Sequence, residues 1–388
     1  MRAMDIWMKT DRTKKPGTFK YISLGDVHLG HRLTPARDII RNLNRLITND
    51  LLVTLDMLII TGDLFDRQLQ NGDDEVNSIN RWITHLLYKC AAYDVHLYIV
   101  EGTPSHDRKQ SQFFVEQKIN AEIPVNLHYA KELEILYNER FDAHFLFVPD
   151  KWNPSTAVTL GQVKAKMVEL GIEQVDFAIM HGAFSYQLPS IVEEPTHDEV
   201  EYLALVRHQI LIGHVHIMTV RDRIYAAGSF DRICHNDEIP KGMFHFEVKE
   251  NGNFTATFIE NKWARQYVTW DVHGMDTKEL NFVIKDRIKD IAKGSSIRLR
   301  CEPGDVANGD IDSYRREYQA YDWQITVEKA TAKKNTVLES MRTFDMSEFV
   351  PITKDNLLEL LLYELEESGH SEATVDRCAK RFKELIKG

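Results

Sequence analysis

The chain has 388 residues, of which 43% are hydrophobic and 28% charged, and its formal net charge at pH 7 is −11. This length allows two or three domains of ~100–200 residues each, and no apolar run reaches the ~18 residues that a membrane-spanning helix needs. The negative charge argues against nucleic-acid binding over the whole surface, although a local basic groove is compatible with it.

At the N-terminus, residues 1–18 contain neither a continuous apolar stretch nor a small-residue cleavage site. We therefore predict a disordered leader there. The four cysteines are widely scattered and contain no CxxC pair, which is typical of reduced thiols in a cytosolic protein. Together these features predict a cytoplasmic location.

From residue 19 to 262, short β-rich runs alternate with amphipathic helices, a pattern typical of an α/β layered domain. A hairpin of Met243–Val248 and Phe254–Ile259 around an Asn251-Gly252 turn is expected to end this domain. The predicted strands and helices before it are Tyr21–Leu24, Met57–Thr61, Val95–Val100, His144–Val148, Asp176–Met180 and Ile210–Ile212, and Thr34–Asp50, Glu75–Ala92 and Leu160–Leu170.

Residues 263–332 read as a smaller α/β unit, with strands at Tyr267–Val272, Ser296–Cys301 and Trp323–Val327 and a helix at Asp276–Ala292. A polar linker is predicted over 333–352 and a pair of amphipathic helices over 353–388. The apolar faces of this pair indicate a partner outside the chain. Packing against the smaller unit as ordinary core is the alternative.

Five short segments each place Asp or His directly after a predicted strand. The carboxyl ends of strands in an α/β sheet collect ligands at one rim, so residues distant in sequence are expected to converge there. A single such Asp or His is usually structural, but five in order form a strong joint signal. The segments are Gly25-Asp26-Val27-His28, Gly62-Asp63-Leu64-Phe65-Asp66, Ser105-His106-Asp107, Met180-His181-Gly182 and Gly213-His214-Val215-His216.

The residue types in these segments indicate a metal centre. Carboxylate and imidazole ligands suit Mn, Fe or Zn, and the set contains no thiolate. On an extended backbone, the two side chains of Asp26-x-His28 or of His214-x-His216 point the same way, because the strand period is two. Two ions ~3.5–4 Å apart can bind both the attacking and the leaving oxygen of a phosphoryl transfer. The sequence therefore predicts a two-metal phosphoesterase.

The order of the motifs resembles that of the calcineurin-like metallophosphoesterase superfamily, and the details are similar to its SbcD-type DNA nuclease branch. Asp26-Val27-His28-Leu29-Gly30 and Gly62-Asp63-Leu64-Phe65-Asp66 resemble that branch's D-x-H-L-G and G-D-[LI]-F-D. Gly228-Ser229-Phe230-Asp231-Arg232, followed by Lys241-Gly242-Met243-Phe244, resembles its G-S-x-x-R and K-G-[FY]. The resemblance covers residues 19–260 and implies β-sheets sandwiched between helices, with a small α/β capping domain for DNA over 263–332.

The resemblance also implies roles for individual residues. His106 would donate a proton to the leaving oxygen, and Asp107 would orient its imidazole. Asp66 is a further catalytic candidate. The expected cofactors are two divalent metal ions, with Mn preferred and Mg an alternative. The implied ligands are Asp26, His28 and His216 for the first ion, Asp63 as a bridge, and His181 and His214 for the second ion.

One segment departs from the family's pattern. The family reads G-N-H-[DE], in which the Asn is a ligand of the second ion, whereas here the residues are Gly102-Thr103-Pro104-Ser105-His106-Asp107. Ser105 precedes His106, and we predict it as a candidate ligand through its hydroxyl; capping of a turn is the alternative. Variant loops of this kind resemble those of phage-encoded members, whose location would be the host cytoplasm.

Basic and imidazole side chains beside the metal segments could form the local groove that a polyanion needs. Ordinary solvated loop residues are the alternative for each. The candidate substrate-binding residues are His31, Arg32, Arg67, Arg108 and Arg232.

The predicted function is that of a metal-dependent DNA nuclease, the nuclease subunit of an SbcCD-like complex in DNA recombination, repair or replication. By resemblance it would act as an exonuclease on double-strand ends and as an endonuclease on single-stranded or hairpin DNA. Its implied partners are an SbcC-type ABC ATPase, bound through the C-terminal helices, and a second copy of the chain in a homodimer. A phosphatase or cyclic-nucleotide phosphodiesterase of the same superfamily, and a non-catalytic scaffold, are the alternatives.

Overall fold

The computed structural model describes residues 18–328 apart from 71, 151–154, 190, 193, 236, 238 and 250–252. The predicted leader (except residue 18), the linker over 333–352 and the helix pair over 353–388 lie outside the described residues, as does the Asn251-Gly252 turn. In the part of the chain that is described, no helix is both long and apolar enough to cross a membrane.

Two six-stranded sheets and one three-stranded sheet form the framework of the described residues, so the predicted α/β class is confirmed. The strands are β1 (Phe19–Leu24), β2 (Met57–Ile60), β3 (His96–Val100), β4 (Leu127–Ala130), β5 (Glu134–Asn138), β6 (Ala143–Val148), β7 (Val175–His181), β8 (Ala183–Phe184), β9 (Thr196–His197), β10 (Val206–Gly213), β11 (Thr219–Arg221), β12 (Ile224–Ala226), β13 (Gly242–Val248), β14 (Phe254–Glu260), β15 (Tyr267–Asp271), β16 (Ser296–Cys301) and β17 (Asp322–Val327).

The helices cover the outer faces of the sheets. Two short 3-10 helices, Ser185–Gln187 and Ile288–Asp290, accompany them. The α-helices are α1 (Ala36–Leu46), α2 (Asn49–Leu52), α3 (Val76–Ala92), α4 (Gln112–Asn120), α5 (Thr156–Leu170), α6 (Glu199–Leu205), α7 (Thr277–Arg287) and α8 (Val306–Glu317).

The two large sheets run in the orders β14-β13-β1-β2-β3-β4 and β11-β12-β10-β7-β6-β5. In the first sheet β1, β2, β3 and β4 are parallel, and in the second β6, β7, β10 and β12 are parallel. Every residue of β2 and of β7 is buried, as expected for interior parallel strands covered on both faces. Parallel strands end together, so the loops after β1, β2, β3, β7 and β10 gather on one side.

Aromatic side chains fill the space between the two large sheets. Tyr21 of β1 meets Phe177 of β7 edge to face, with ring centroids 6.1 Å apart, and Phe145 of β6 stacks on Phe177 at 5.1 Å. Side chains of opposite parity, such as Ile22 and Leu24, point instead toward α1 and α3. Successive side chains of β1 thus pack alternately into two apolar layers, one between the sheets and one beneath the helices.

The three-stranded sheet β15-β16-β17 is parallel and carries α7 and α8. Its core includes Trp270, Leu299 and Trp323. It joins the larger part through contacts such as the hydroxyls of Thr34 and Tyr267, which lie 2.6 Å apart.

Two predicted helices end earlier than expected. The helix predicted over Thr34–Asp50 is broken into α1 and α2, because the Thr48 hydroxyl accepts the Leu51 N–H at 3.2 Å and caps a new helix. The helix predicted over Asp276–Ala292 ends at Arg287 and continues as the 3-10 turn Ile288–Asp290. Neither change moves a candidate site residue.

Candidate metal centre

The first group of candidate ligands joins the ends of β1 and β10. Asp26 and His28 follow β1, and His216 lies in the turn after β10. Their ligand atoms all lie within 4.8 Å of one another, and the Nε2 atoms of His28 and His216 face each other at 3.0 Å. Asp26 is 0% exposed and His28 1%, so these two side chains are shielded from water, while His216 is partly exposed.

The second group joins the ends of β2, β7 and β10. The ligand atoms of Asp63, His181 and His214 lie within 4.8 Å of one another, and Asp63 Oδ1 is 3.3 Å from His181 Nε2. His181 Nδ1 donates to the Thr61 carbonyl at 2.7 Å, which directs its Nε2 toward Asp63. The His214 N–H donates to the Asp26 carboxylate at 2.9 Å, so a hydrogen bond connects the second group directly to the first.

This donor set fits a divalent cation. Asp26 and Asp63 are both buried, and within the described residues neither pairs with a lysine or an arginine. Buried carboxylates are normally paired with a positive charge or coordinate a metal. Carboxylates combined with imidazole nitrogens suit transition-metal cations such as Mn, Fe or Zn. Each group could therefore hold a metal ion.

Backbone strain accompanies the ligands. Asp26, His28, Asp63 and His214 adopt φ angles of 49°, 54°, 46° and 110°. Non-glycine residues rarely adopt positive φ, and such conformations cost about 1–3 kcal/mol each and cluster at functional sites. The prediction that an extended backbone aligns Asp26 with His28 is therefore wrong. Left-handed backbone conformations after β1 bring these two side chains together.

Thr103 occupies the second group, and the motif analysis missed it. Its hydroxyl lies 3.1 Å from Asp63 Oδ2, 3.2 Å from His181 Nε2 and 3.4 Å from His214 Nδ1. Its N–H donates to Asp63 Oδ1 at 2.6 Å. The sequence feature that could have identified Thr103 is its position directly after Gly102, just beyond the end of β3.

Ser105, the predicted hydroxyl ligand, is exposed and is not brought to this cluster. Its carbonyl accepts the Arg108 Nε–H at 3.1 Å. Ser105 lies outside the cluster because the two extra residues of this loop follow Thr103, between the rim and His106. Thr103, which is nearer the end of β3, therefore points into the cluster, whereas Ser105, next to His106, is exposed.

His106 lies beside the first group, with its ring centroid 5.1 Å from that of His28. Its Nδ1 donates to the Asp66 carbonyl at 2.7 Å. The Asp66 carboxylate approaches His28 Nδ1 at 3.3 Å. Asp66 thus contacts both imidazoles, and the ligand atoms of His28, Asp66 and His106 also lie within 4.8 Å of one another.

Asp107 does not orient His106 as expected. Its side chain is fully buried, and its two oxygens accept the N–H groups of Phe65 at 2.9 Å and Gly102 at 2.8 Å. It therefore ties the loop after β2 to the loop after β3. The imidazole is held instead by the carbonyl of Asp66, because that atom lies within hydrogen-bonding distance of Nδ1.

Electrostatics couple Asp63 to His181. Burial opposes ionisation of Asp63, but the charge and hydrogen bond of His181 outweigh it and hold the pKa of this carboxyl below its usual range. Burial likewise opposes protonation of His181, yet the charge of Asp63 raises its pKa. Burial, and then the charge of Asp63, raises the pKa of Asp107. Asp63 and His181 thus stabilise each other's charged forms, while burial favours the neutral form of Asp107.

Two glycines let the loops meet. A Cβ on Gly62, at φ 86°, would lie 2.3 Å from His181 Nδ1, and a Cβ on Gly102 would lie 2.1 Å from the Asp63 nitrogen. Real Cβ atoms essentially never come that close, so these positions need glycine if the loops are to keep their spacing.

The predicted substrate-binding residues fall into two sets. His31 Nδ1 accepts the Thr34 N–H at 3.2 Å, Arg67 pairs with Asp73 at 2.7 Å, and Arg232 donates to the Ala264 carbonyl at 3.2 Å. These three hold loops together. The other two, Arg32 and Arg108, have exposed side chains, although Arg108 also donates to the Ser105 carbonyl of its own loop.

No protein-family model and no curated protein matches the chain. A solved crystal structure aligns with 62% of this chain and 99% of that chain at 10% identity, with a TM-score of 0.38. A likeness of this strength supports no statement about fold or function.

Proposed function

We propose that the chain is a two-metal phosphodiesterase acting on DNA, of the SbcD type within the calcineurin-like metallophosphoesterase superfamily. One observation supports this proposal most strongly. Two Asp/His groups are joined by the hydrogen bond from the His214 N–H to Asp26, and a fifth imidazole, that of His106, lies beside them. Two adjacent cation sites next to a proton donor suit in-line displacement at phosphorus.

The metal ions, for which we propose Mn with Mg as the alternative, would supply Lewis acidity and a nucleophile at neutral pH. The first ion would be held by Asp26, His28 and His216. The second would be held by His181 and His214, with Asp63 shared between the two ions.

The protein's own contribution begins with His106. The Asp66 carbonyl accepts the Nδ1–H of His106, which leaves Nε2 as the nitrogen available to a substrate. A protonated Nε2 facing the rim could pass its proton to the leaving oxygen of a phosphodiester. Asp66 would also steady His28 through the 3.3 Å approach to its Nδ1.

The choice of DNA over a small ester rests on the motif resemblance and on the additional α/β unit of β15, β16 and β17. Arg32 and Arg108, both exposed near the rim, could contact substrate phosphates. Docking of the C-terminal helices on an SbcC-type ATPase, and homodimer formation, are parts of the same proposal.

The test is cleavage of linear double-stranded DNA by the purified protein with Mn. We expect Asp63→Asn and His106→Ala to lower the rate by about 100-fold or more, since they remove a shared metal ligand and the proton donor. Asp94→Asn and His208→Ala, matched changes away from the rim, should leave it unchanged. Cleavage of a small phosphodiester but not of DNA would favour the phosphatase or phosphodiesterase alternative. A complete lack of metal-dependent cleavage would refute the proposal.

A further inference from the structure

Lys241 is a buried lysine that the proposed chemistry does not use. It directly precedes β13 and is 1% exposed. Its Nζ donates to the carbonyl oxygen of His216 at 2.9 Å and forms an ion pair with the carboxylate of Asp237. The ammonium thus lies directly behind one ligand of the first group.

The His216 carbonyl is a junction of three segments. Besides Lys241 Nζ, the N–H of Ser229 donates to it at 3.2 Å. Gly228, at φ 71°, lies so near that a Cβ there would come within 2.6 Å of this oxygen. The turn around Gly228 and the Lys241 side chain therefore hold the backbone of His216 from behind.

The same short segment is fixed at its other end by the first group itself, since the N–H of His214 donates to both oxygens of Asp26 at 2.9 and 3.1 Å. His214 also has a strained φ of 110°. A strained segment keeps its conformation only where its surroundings over-determine it. Lys241 and Asp26 are two charged side chains that do so through the backbone, on either side of Val215.

A buried ammonium is costly to desolvate, and a well-packed apolar side chain would often be at least as stabilising. Asp237 is 8% exposed, and its Oδ2 has no hydrogen-bond partner among the described residues. The pair is thus incompletely satisfied. Its directional bond to the His216 carbonyl gives this charged pair a function that an apolar pair could not have.

We propose that Lys241 is a positioning residue that fixes the His216 imidazole at the distance and orientation needed for the first metal ion, an inference that rests on the proposed metal centre. Groups that hold a metal ligand in place typically change metal affinity by about 10- to 100-fold when removed. Lys241 contacts the backbone of His216 and would act on the metal ion only through this residue.

The experiment compares Mn binding by the full-length wild type, Lys241→Met, and the double variant Lys241→Met with Asp237→Asn. Titration calorimetry gives the affinity, and thermal unfolding in a chelator gives the stability without metal. The single variant leaves a buried carboxylate without its partner, so it is expected to unfold at a lower temperature. The double variant removes that charge and should recover most of the lost stability. Asp176→Asn, which neutralises a buried carboxylate that pairs with the exposed Arg207 at the opposite end of β7, is the control.

We expect the double variant to bind one Mn about 10- to 100-fold more weakly than the wild type although its stability has recovered. The control should bind Mn as the wild type does. Wild-type Mn affinity in the double variant would overturn the positioning role while leaving the metal centre intact. Failure of the wild type itself to bind Mn would overturn the proposed centre, and the role of Lys241 with it.

Discussion

The second group of ligands depends, at the scale of single residues, on the Thr103 hydroxyl, which lies within 3.4 Å of all three of its imidazole and carboxylate members. We predict that Thr103→Val weakens Mn binding at one site by about 10-fold or more, because the hydroxyl and its hydrogen bonds are lost. Thr103→Asn should strengthen it, because an amide oxygen is a better metal ligand than a neutral hydroxyl.

Calorimetric titration with Mn measures both variants. Thr84→Val, which removes a helix hydroxyl bonded to the Asn80 carbonyl, is the control for loss of a hydroxyl. Equal affinities for wild type, Thr103→Val and Thr103→Asn would show that Thr103 only closes a turn.

Gly102 is the second residue for which the structure makes a sharp prediction. A Cβ there would lie 2.1 Å from the Asp63 nitrogen and 2.3 Å from its Oδ1. We expect Gly102→Ala to lower the free energy of unfolding by about 1–3 kcal/mol, as overpacking does, and to impair Mn binding by moving Asp63.

The matched change is Gly161→Ala in α5, where nothing lies within 4 Å of the added Cβ. It should raise stability by up to about 1 kcal/mol through helix propensity. Denaturant unfolding of the two variants gives both values, and an unaltered stability in Gly102→Ala would contradict the close approach of the two loops.

The sequence predicted the six Asp and His residues that the structure gathers into two groups, but it did not predict that Thr103 joins the second group. His214 and Asp63 stand in short motifs directly after apolar runs, so their position at the rim follows from strand order. Thr103 was missed because the candidate hydroxyl was chosen as the residue directly before His106, whereas the two additional residues of this loop lie between Thr103 and His106. Asp107 was assigned to the wrong partner because neighbours in sequence need not point toward each other.

At the scale of elements, His235 connects a loop of the larger part to the three-stranded sheet. Its Nε2 lies 3.2 Å from the Ser296 hydroxyl in β16, and its Nδ1 lies 3.2 Å from the Thr269 hydroxyl in β15. Burial, followed by the charge of Arg298, lowers its pKa to about 4, and the opposing charge of Asp322 does not offset this.

Because the pKa in the folded state lies below the usual value of about 6.5, the unfolded chain binds more protons between these values. The contribution of neutral His235 is therefore present above pH 6.5 and is lost as the pH falls toward 4. We expect the unfolding temperature of the wild type to fall more steeply between pH 7 and pH 5 than that of His235→Gln. Parallel curves from calorimetric scans would contradict this role.

Most strands were predictable from their apolar runs, but α8 was not. Asn308-Gly309-Asp310 lies within it and is typical of a turn, yet the helix forms because Ala307, Ile311 and Tyr314 share one buried face. Strands β4 and β5 were missed for the opposite reason: most of their side chains are only partly buried, so no continuous apolar run marks them. Tertiary packing decided both cases.

At the scale of the whole molecule, the parallel strands of the two large sheets bring five loops to one rim, and this arrangement gathers the candidate ligands spread from Asp26 to His216. The sheets supply rigidity through the aromatic layer around Tyr21 and Phe177. The rim carries the strain, the buried charge and the closest loop contacts. A site of this kind is more stable with its cations than without them, since binding only to the folded state adds stability.

The central claim, that the two Asp/His groups hold two cations, is tested most directly by anomalous diffraction from crystals soaked in Mn. We predict two peaks about 3.5–4 Å apart, one contacted by Asp26, His28 and His216 and the other by His181 and His214, with Asp63 between them. A single peak, peaks bound to other residues, or no peak at saturating Mn would contradict the account.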